Sequence, residues 1–299
     1  MTREAAGGLL VIGDVVTDIV ARHRTPLAPA TDTAARIATL PGGAGANVAC
    51  WAAHAGAGDV HLLASVGRDS EAWHREALVR SGVRPHLRID REAPTAVVIS
   101  LVDRAAERTL ITDSGAALSL SPADWQDARL DGIAHLHLSG YLFFAETSRR
   151  LARAAMTAAR ERGVPVSVDP ASTGFIERVG VDRFLSSVAG ADVLVPNRTE
   201  AQLLTGLAEP AEAARKLSQD FALVVAKLGA DGALVAAGGD LLAHVPAPST
   251  EALDTTGAGD AFMGAFLTAR LAGAPPVAAA VEGCRTGAEA VTAVGGRPA

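Results

Sequence analysis

Lysine, cysteine and aromatic residues are scarce in this sequence. Of its 299 residues 27 are Lys or Arg, yet only Lys216 and Lys227 are lysines, so phosphate binding cannot rest on clustered lysines. With a formal net charge of −6 and no basic run, the chain is not expected to bind nucleic acid by charge. Cys50 and Cys284 cannot make a disulfide framework and lack metal-ligand spacing. We therefore expect a protein of the reducing cytoplasm without a nucleic-acid partner.

Long uninterrupted apolar runs are also lacking. The N-terminal stretch Leu9–Gly13 ends at Asp14, which is too short for the core of a signal peptide. The most apolar C-terminal stretch, Gly264–Val281, is broken by Arg270 and by a pair of prolines. We expect neither export nor a membrane anchor.

Short apolar runs alternate along the chain with longer helical patterns. Strands that are apolar on nearly every residue and are separated by helices predict a mainly parallel, doubly wound α/β sheet within one domain over residues 1–299. The strand-like runs are Leu9–Gly13, Val60–Val66, His135–Ser139, Val164–Asp169, Asp192–Pro196, Phe221–Lys227 and Ala233–Ala237. The helical patterns are Gly45–Ala55, Glu71–Ser81, Ala145–Arg162, Thr199–Thr205 and Glu209–Gln219.

Two regions depart from this alternation. Thr95–Asp103 and Arg108–Asp113 are typical of an antiparallel hairpin, and Val15–His23 and Thr33–Leu40 are also strand-like. We predict that these segments, about residues 15–40 and 95–113, form a small β-sheet lid over one end of the main sheet. The alternative is an ordinary surface hairpin.

The most informative loop is Asp254–Phe262, which reads DTTGAGDAF and leads into an apolar helix ending near Ala272. Its small residues allow backbone amides to converge at a helix N-terminus, where a phosphate can bind without lysine. Asp260 at that helix start has two interpretations. It is either a carboxylate that satisfies the helix dipole or a general base that takes a proton from a substrate hydroxyl.

Two common phosphate motifs are missing. The sequence contains no G-x-x-x-x-G-K-[ST], which excludes the usual P-loop. Neither glycine cluster completes G-x-G-x-x-G, because Val48 and Phe262 stand at the third glycine position. A dinucleotide-binding Rossmann site is therefore disfavoured.

Pro41–Ala49 (PGGAGANVA) and Asp254–Phe262 resemble the paired signatures of the ribokinase-like, or PfkB, carbohydrate kinase family. The intervening motifs occur in the family's order: Gly13-Asp14, then VPNRTE at residues 195–200, then KLGADG at residues 227–232. The resemblance covers essentially the whole chain and implies a ribokinase-like fold.

The resemblance assigns roles on the nucleotide side. Asp260 matches the catalytic base, and the amides of Gly257, Ala258 and Gly259 match the anion hole for the γ-phosphoryl group of ATP. Asn197 and Glu200 match the Asn-x-x-Glu element near Mg²⁺, with Glu200 acting through water; a helix capping box is the alternative and is compatible with it. Further residues implied to contact the nucleotide are Lys227, Gly229, Gly232 and Thr256.

On the acceptor side, Gly42, Gly43 and Asn47 resemble the sugar-binding loop, and Asp18 matches the acidic residue that binds sugar hydroxyls. Asp14 is a second candidate, with a loop-start turn as the equal alternative. Ala44 stands where ribokinase has lysine, which favours a fructokinase-like or 2-keto-3-deoxygluconate-kinase-like acceptor. Asp254, with small residues from about Thr286 to Gly295, resembles a loop that binds a monovalent cation, commonly K⁺.

These observations predict Mg²⁺- and ATP-dependent phosphorylation of a hydroxyl on a small sugar or sugar acid. A nucleoside kinase is the alternative, with Tyr141, Phe143 and Phe144 as candidates to stack a base. A non-catalytic sugar or nucleotide sensor is disfavoured because the candidate base is present. Val97, Ile99 and Leu101 share one face of the lid hairpin, which predicts a homodimer through the lid, unless that face covers the protein's own active site.

Overall fold

The structure is a computed structural model that describes residues 7–104 and 108–298. Its strands are β1 (Gly8–Ile12), β2 (Val16–His23), β3 (Ala35–Gly42), β4 (Val60–Gly67), β5 (Val83–Asp90), β6 (Ala96–Val102), β7 (Arg108–Asp113), β8 (Ile133–Ser139), β9 (Val166–Asp169), β10 (Val193–Leu194), β11 (Leu223–Lys227), β12 (Ala233–Ala237) and β13 (Asp240–Val245). Its α-helices are α1 (Ala44–His54), α2 (Glu71–Arg80), α3 (Glu146–Glu161), α4 (Thr173–Val179), α5 (Val181–Val188), α6 (Arg198–Thr205), α7 (Pro210–Leu217), α8 (Ala258–Leu271) and α9 (Pro276–Ala290).

Nine strands form the main sheet in the order β13-β12-β11-β10-β9-β8-β1-β4-β5. All neighbours from β11 to β5 are parallel. Alternate residues of β1 enter two different cores: Leu10 and Ile12 pack on one side of the sheet, Leu9 and Val11 on the other. Burial on both faces explains why these strands are apolar on nearly every residue, and the predicted doubly wound α/β fold is confirmed.

Two edge strands escaped the sequence prediction. β5 reads VRPHLRID and β13 reads DLLAHV, and neither is a continuous apolar run, because an edge strand keeps part of its surface in water. The run Ala233–Ala237 pairs antiparallel with β11, since only a five-residue turn joins the two strands. Across the described residues, no helix is long and apolar enough to cross a bilayer.

A separate four-stranded sheet in the order β3-β2-β6-β7 forms the lid. β2 pairs antiparallel with β3 and parallel with β6, and β6 pairs antiparallel with β7, as the predicted hairpin requires. The connecting residues 105–107 of that hairpin lie outside the described residues. The prediction of a small sheet separate from the main sheet is confirmed.

The lid has two different faces. Asp18 and Arg22 of β2 lie on the face toward the cleft, where Arg22 contacts Asp254 and Leu110 of β7 lines the cavity. The opposite face carries Ile99 and its cross-strand partners Ile19 and Ile111. Val97, Ile99 and Leu101 therefore point away from the cleft and do not cover the protein's own active site.

Candidate active site

The carboxyl ends of β8, β9 and β11 meet the N-terminus of α8 around a cavity of about 870 Å³. This is the edge at which parallel sheets bind ligands. All ten residues predicted for the nucleotide side line it: Asn197, Glu200, Lys227, Gly229, Gly232, Thr256, Gly257, Ala258, Gly259 and Asp260. Motifs separated by up to 63 positions in the chain thus share one cavity.

Asp260 lies in the first turn of α8 and faces this cavity. Asn47 of α1 donates from Nδ2 to Asp260 Oδ2 at 2.9 Å, which fixes the carboxylate between the two signature segments. Burial is the main cause that raises the pKa of Asp260 to about 8; the hydrogen bond from Asn47 and the ammonium of Lys227 oppose this rise, and the carboxylate of Asp169 adds to it. The ionised form of a carboxyl group with this pKa is a stronger base than an ordinary aspartate, and it takes up a proton readily near neutral pH.

The turn before Asp260 is organised by Asp254. Its Oδ1 accepts hydrogen bonds from the backbone nitrogen of Thr256 at 2.9 Å and from Thr256 Oγ1 at 2.7 Å. Gly257 follows with φ +74°, and a Cβ there would lie 2.5 Å from Gly296 Cα. Because first-turn amides of a helix lack intrahelical acceptors, the backbone of Gly257–Gly259 can receive an anion.

The ammonium of Lys227 lies beside this turn. Lys227 Nζ donates to Asp169 Oδ2, and a Cβ at Gly259 would be 3.3 Å from the same nitrogen. Burial alone would lower the pKa of Lys227, but Asp169 and Glu200 raise it above its usual value. The ammonium is therefore charged at neutral pH and close to where an anion would bind.

Asn197 and Glu200 form a complete capping box at the start of α6. Asn197 N donates to Glu200 Oε2 at 2.8 Å, and Glu200 N donates to Asn197 Oδ1 at 2.9 Å. Glu200 also lines the cavity, and burial, with Asp169 nearby, raises its pKa to about 7. The two interpretations of this pair are thus compatible, since capping fixes a carboxylate that faces the cavity.

Gly229 and Gly232 both have positive φ, +64° and +90°. Open space surrounds a Cβ built at Gly229, whereas one at Gly232 would lie 1.9 Å from the carbonyl oxygen of Val245. Gly232 is therefore required for the close packing of the β11–β12 turn on the end of β13. Both residues line the cavity.

Asp14, which was predicted for the acceptor side, accepts hydrogen bonds from the start of α1. Its Oδ2 accepts from Ala44 N at 2.9 Å, and its Oδ1 accepts from Gly45 N at 3.1 Å and Ser139 Oγ at 3.1 Å. Gly43 has φ +99°, and a Cβ there would lie 2.6 Å from the Asp14 carbonyl oxygen. The side chain of Asp14 thus caps the helix that carries Asn47, which is a different role from the local loop-start turn of the alternative.

Asp18 extends from lid strand β2 to the end of β3. A Cβ at Gly42 would lie 2.0 Å from Asp18 Oδ2, so only glycine allows this carboxylate to approach the loop. Burial, with Asp14 nearby, raises the pKa of Asp18 to about 6, and Arg297 lowers it. The acceptor side therefore brings a lid carboxylate against the glycine loop.

The predicted monovalent-cation loop holds an ion pair with the lid. Arg22 Nη2 lies 3.5 Å from Asp254 Oδ2, which also accepts from Gly295 N at 3.1 Å. Among residues 7–104 and 108–298, no three His, Cys, Asp or Glu side chains form a group that could hold a metal ion. Backbone carbonyls or substrate phosphates would have to complete the ligands of any cation here.

The aromatic candidates have separate locations. Phe143 is fully buried in the core, and Phe144 stacks on Phe175 at 5.0 Å between ring centroids. Tyr141 alone of the three lines the cavity, and its ring meets Phe144 and Phe175 edge-on. Burial and the surrounding carboxylates raise the pKa of Tyr141.

The sequence prediction missed three charged residues of this site. Asp169 ends a predicted strand, so the rule that ligands bind at the carboxyl ends of strands could have identified it. Arg22 and Arg297 carry no local signal, because their partners Asp254 and Asn47 are more than 200 positions away. Only the fold brings these charges into the site.

The chain matches the model of the pfkB family carbohydrate kinases over residues 7–299. It is 34% identical to an ATP-dependent ribose-1-phosphate kinase of Halopiger xanaduensis, across 76% of this chain and 72% of that protein. It is 30% identical to a fructokinase of Klebsiella pneumoniae, across 97% and 94%. The structure of an adenosine kinase from Sinorhizobium meliloti superposes with a TM-score of 0.88 at 24% identity, covering 98% and 96%.

Proposed function

The chain belongs to the pfkB family of carbohydrate kinases and is a phosphotransferase with an alcohol acceptor, and we propose that it transfers the γ-phosphoryl group of ATP to a hydroxyl of a small sugar or sugar acid. The observation that carries this proposal is the position of Asp260. Asp260 lies in the first turn of α8, beside the Gly257–Gly259 turn. Its carboxylate accepts a hydrogen bond from Asn47 and faces the cavity that Lys227 also lines.

In the proposed reaction, Asp260 takes the proton of the acceptor hydroxyl as its oxygen attacks the γ-phosphorus. The bond from phosphorus to the ADP oxygen breaks, and ADP leaves with that electron pair. The Gly257–Gly259 amides and the Lys227 ammonium stabilise the charge on the transferring group. The lid carries Asp18 to the acceptor and excludes water, which would otherwise compete as a phosphoryl acceptor.

Mg²⁺ fits the carboxylates of the nucleotide side. Glu200 and Asp169 both border the cavity, and Asn197 stands beside Glu200. When bound, Mg²⁺ neutralises the phosphate oxygens of ATP and gives up its waters reluctantly, so we propose that Glu200 reaches it through water. K⁺ at Asp254 is a further proposal, in which the cation would share that carboxylate with Arg22.

The acceptor is proposed to be a sugar because Asp18 and Asp14 place carboxylates, which accept hydrogen bonds from hydroxyls, beside the glycine loop. The relatives named above differ in acceptor, one being a ribose-1-phosphate kinase and one a fructokinase. A nucleoside is the second candidate, and the aromatic wall at Tyr141 is the observation that favours it.

The deciding experiment combines one variant with one substrate panel. ADP release is measured with Mg²⁺, with and without K⁺, on fructose, 2-keto-3-deoxygluconate, ribose, ribose-1-phosphate and adenosine. We expect a sugar or sugar acid to give the highest kcat/KM; preference for adenosine would establish the second candidate instead. Binding without turnover across the whole panel would contradict kinase activity.

Asp260→Asn is expected to bind ATP and acceptor yet lower kcat by about 100-fold or more, since it removes the general base. Asp240→Asn, an exposed carboxylate of β13, is the matched control and should keep wild-type turnover. Near-wild-type kcat in Asp260→Asn on the preferred acceptor would overturn the assignment of the base.

We also propose that two copies pair through the outer face of the lid. Ile37 is 68% exposed and Ile111 is 54% exposed on this face, which continues across Ile19 and Ile99. A contiguous exposed apolar surface of this kind is typical of a protein interface.

A further inference from the structure

Residues 294–298, the C-terminal segment, run between α1 and the Gly257–Gly259 turn, which we call the anion-binding turn. Trp51 Nε1 donates to the Gly296 carbonyl oxygen at 2.8 Å, and Gly295 N donates to Asp254 Oδ2 at 3.1 Å. Gly296 packs so closely that a Cβ there would lie 2.5 Å from Asn47 Nδ2. The segment is therefore fixed on both sides. Arg297, which follows Gly296, consequently lies beside the glycine loop that contains Gly42 and Gly43.

Arg297 bridges two parts of that loop. Its Nη2 donates to the Gly42 carbonyl oxygen at 2.8 Å, and its Nε makes a long hydrogen bond of 3.4 Å to Asn47 Oδ1. The planar guanidinium can hold both acceptors at once because its donors have a fixed geometry. The half-buried Arg297 thus joins the end of β3 to the first turns of α1.

Asn47 is hydrogen-bonded to both Arg297 and Asp260, so the orientation of its amide connects the two residues. An amide side chain has one donor end and one acceptor end, and rotation by 180° exchanges them. In the observed orientation Asn47 Nδ2 donates to Asp260 Oδ2 at 2.9 Å. In the reversed orientation, Oδ1 would face the carboxylate and Nδ2 would face the guanidinium, which are two repulsive contacts.

We propose that Arg297 is a positioning residue for the proton acceptor: by donating to Asn47 Oδ1, it keeps the Asn47 amide oriented with its donor toward Asp260. The role rests on the proposed function, in which Asp260 takes the proton of the acceptor hydroxyl. Its effect is on the carboxylate form of Asp260, which the Asn47 donor stabilises.

The charged surroundings of the two residues differ. Asp260 faces the carboxylates of Asp14 and Asp169, the ammonium of Lys227 and the hydroxyl of Tyr141. Removal of Arg297 leaves all four of these in place. A change in the titration of Asp260 can therefore be traced to the amide, once the charge of Arg297 has been controlled for.

Arg297 itself faces Asp14, Asp18 and the thiol of Cys50, and His74 lies within its field. Loss of the guanidinium would consequently raise the pKa of Asp18 as well. The titration of Asp260 must be read separately from that of Asp18, which requires a residue-specific signal.

The test is the titration of Asp260, followed by ¹³C NMR of the aspartate carboxyl groups and assigned by the resonance that Asp260→Asn loses. Arg297→Met is expected to raise the pKa of Asp260 by about one unit, because a hydrogen bond to a carboxylate is weakened. The acid limb of kcat/KM should move up by the same amount, a roughly tenfold loss well below that pH. An unchanged Asp260 pKa would overturn the proposal.

Two further variants separate the hydrogen bond from the charge. Arg297→Lys keeps the charge but cannot reach both the Gly42 carbonyl oxygen and Asn47 Oδ1. We therefore expect it to raise the pKa of Asp260 by more than half of the rise in Arg297→Met. A wild-type Asp260 pKa in Arg297→Lys would assign the effect to charge and overturn the proposal. In an Asn47→Leu background, Arg297→Met should add no further shift, whereas an additive shift would contradict a route through Asn47. Arg80→Met, which alters an exposed arginine near Arg297, is the control and should change nothing.

The outcome is distinguishable from failure of the proposed function. The NMR titration needs no turnover, so it reports on Arg297 even if Asp260 is not the base. If Asp260→Asn keeps its turnover, the proposed function fails whatever Arg297 does. If Asp260→Asn is inactive and Arg297→Met leaves the titration unmoved, only the positioning role fails.

Discussion

The proposed nucleotide side and the proposed acceptor side of the cleft are built in different ways. On the nucleotide side, neighbouring strands of one sheet end side by side, so that Asp169 and Lys227 at the ends of β9 and β11 line the cavity, together with Glu200 in the first turn of α6. On the acceptor side, Asp18 comes from the lid, Asn47 from α1 and Arg297 from the C-terminal segment. One side is fixed by the sheet, and the other depends on contacts between segments distant in sequence.

This difference has an energetic consequence. The strands that end on the nucleotide side contribute to both main cores, whereas the site contacts of the lid and of residues 294–298 include polar ones such as the Arg22–Asp254 ion pair and the Trp51–Gly296 hydrogen bond. We expect contacts of the second kind to open at a lower cost in free energy than the cores do. We therefore expect changes on the nucleotide side to reduce catalysis strongly. Changes on the acceptor side should chiefly affect acceptor binding and lid position.

The largest effect is expected at Gly257, where the two sides touch. Gly257→Ala places a Cβ at φ +74° and 2.5 Å from Gly296, which must displace the anion-binding turn. Loss of a donor to the transferring group lowers kcat by about 100-fold to 1000-fold. Steady-state kinetics at saturating ATP and acceptor measure this loss.

Gly273→Ala is the matched control, because Gly273 has φ +84° but open space around its Cβ position. It should cost about 1 kcal/mol of stability from backbone strain while leaving kcat unchanged. Equal losses of kcat in the two variants would mean that strain, and not displacement of the turn, governs activity.

The next prediction separates the two sides kinetically. Lys227→Met removes the ammonium beside the turn, and we expect kcat/KM for ATP to fall by about 30-fold, since one partner of a buried charge pair is lost. Lys216 on α7 is the only other lysine, and its Nζ donates to the carbonyl oxygen of Thr205 at the end of α6. Lys216→Met serves as the control and should keep wild-type kinetics. An unchanged kcat/KM for ATP in Lys227→Met would remove this residue from the nucleotide side.

Asp18→Asn should produce the opposite pattern. The variant retains the shape of the side chain but weakens its hydrogen bonds to substrate hydroxyls, so we expect the KM for the acceptor to rise about tenfold. The KM for ATP should stay at its wild-type value. If the KM for ATP rose as much as that for the acceptor, the division of the cleft into two sides would be wrong.

The same division explains what the sequence could predict. The core strands and helices follow from apolar periodicity, and α1, for example, begins at Ala44 where Gly45 was expected. The anion turn is local, since Asp254, Gly257 and Asp260 lie within seven residues. Edge strands β5 and β13 escaped because an edge strand need not be apolar on both faces.

Contacts made across the fold could not be predicted in this way. The side chain of Asp14 caps a helix that begins 30 residues later, and Arg297 reaches Asn47 across 250 positions. Nothing in the local sequence of either residue specifies its partner, because such pairing depends on the packing of the whole chain. The family resemblance located Asp18 and Asn47 but gave no indication of Arg297 or Arg22.

The smallest effect on catalysis is expected from the outer face of the lid, which is remote from the cavity. Ile37→Ser removes the most exposed large apolar side chain of that face, and we expect it to shift a dimer toward monomer in light scattering while kcat changes little. Leu242→Ser, at a 52% exposed leucine on β13, is the control and should leave the oligomeric state unchanged. A wild-type protein that is monomeric at micromolar concentration would contradict pairing through the lid. If instead Ile37→Ser lowered kcat as strongly as Gly257→Ala, the outer face of the lid would control the chemistry in the cleft. The lid would then belong to the catalytic part of the molecule, and the expected difference between the two regions would be wrong.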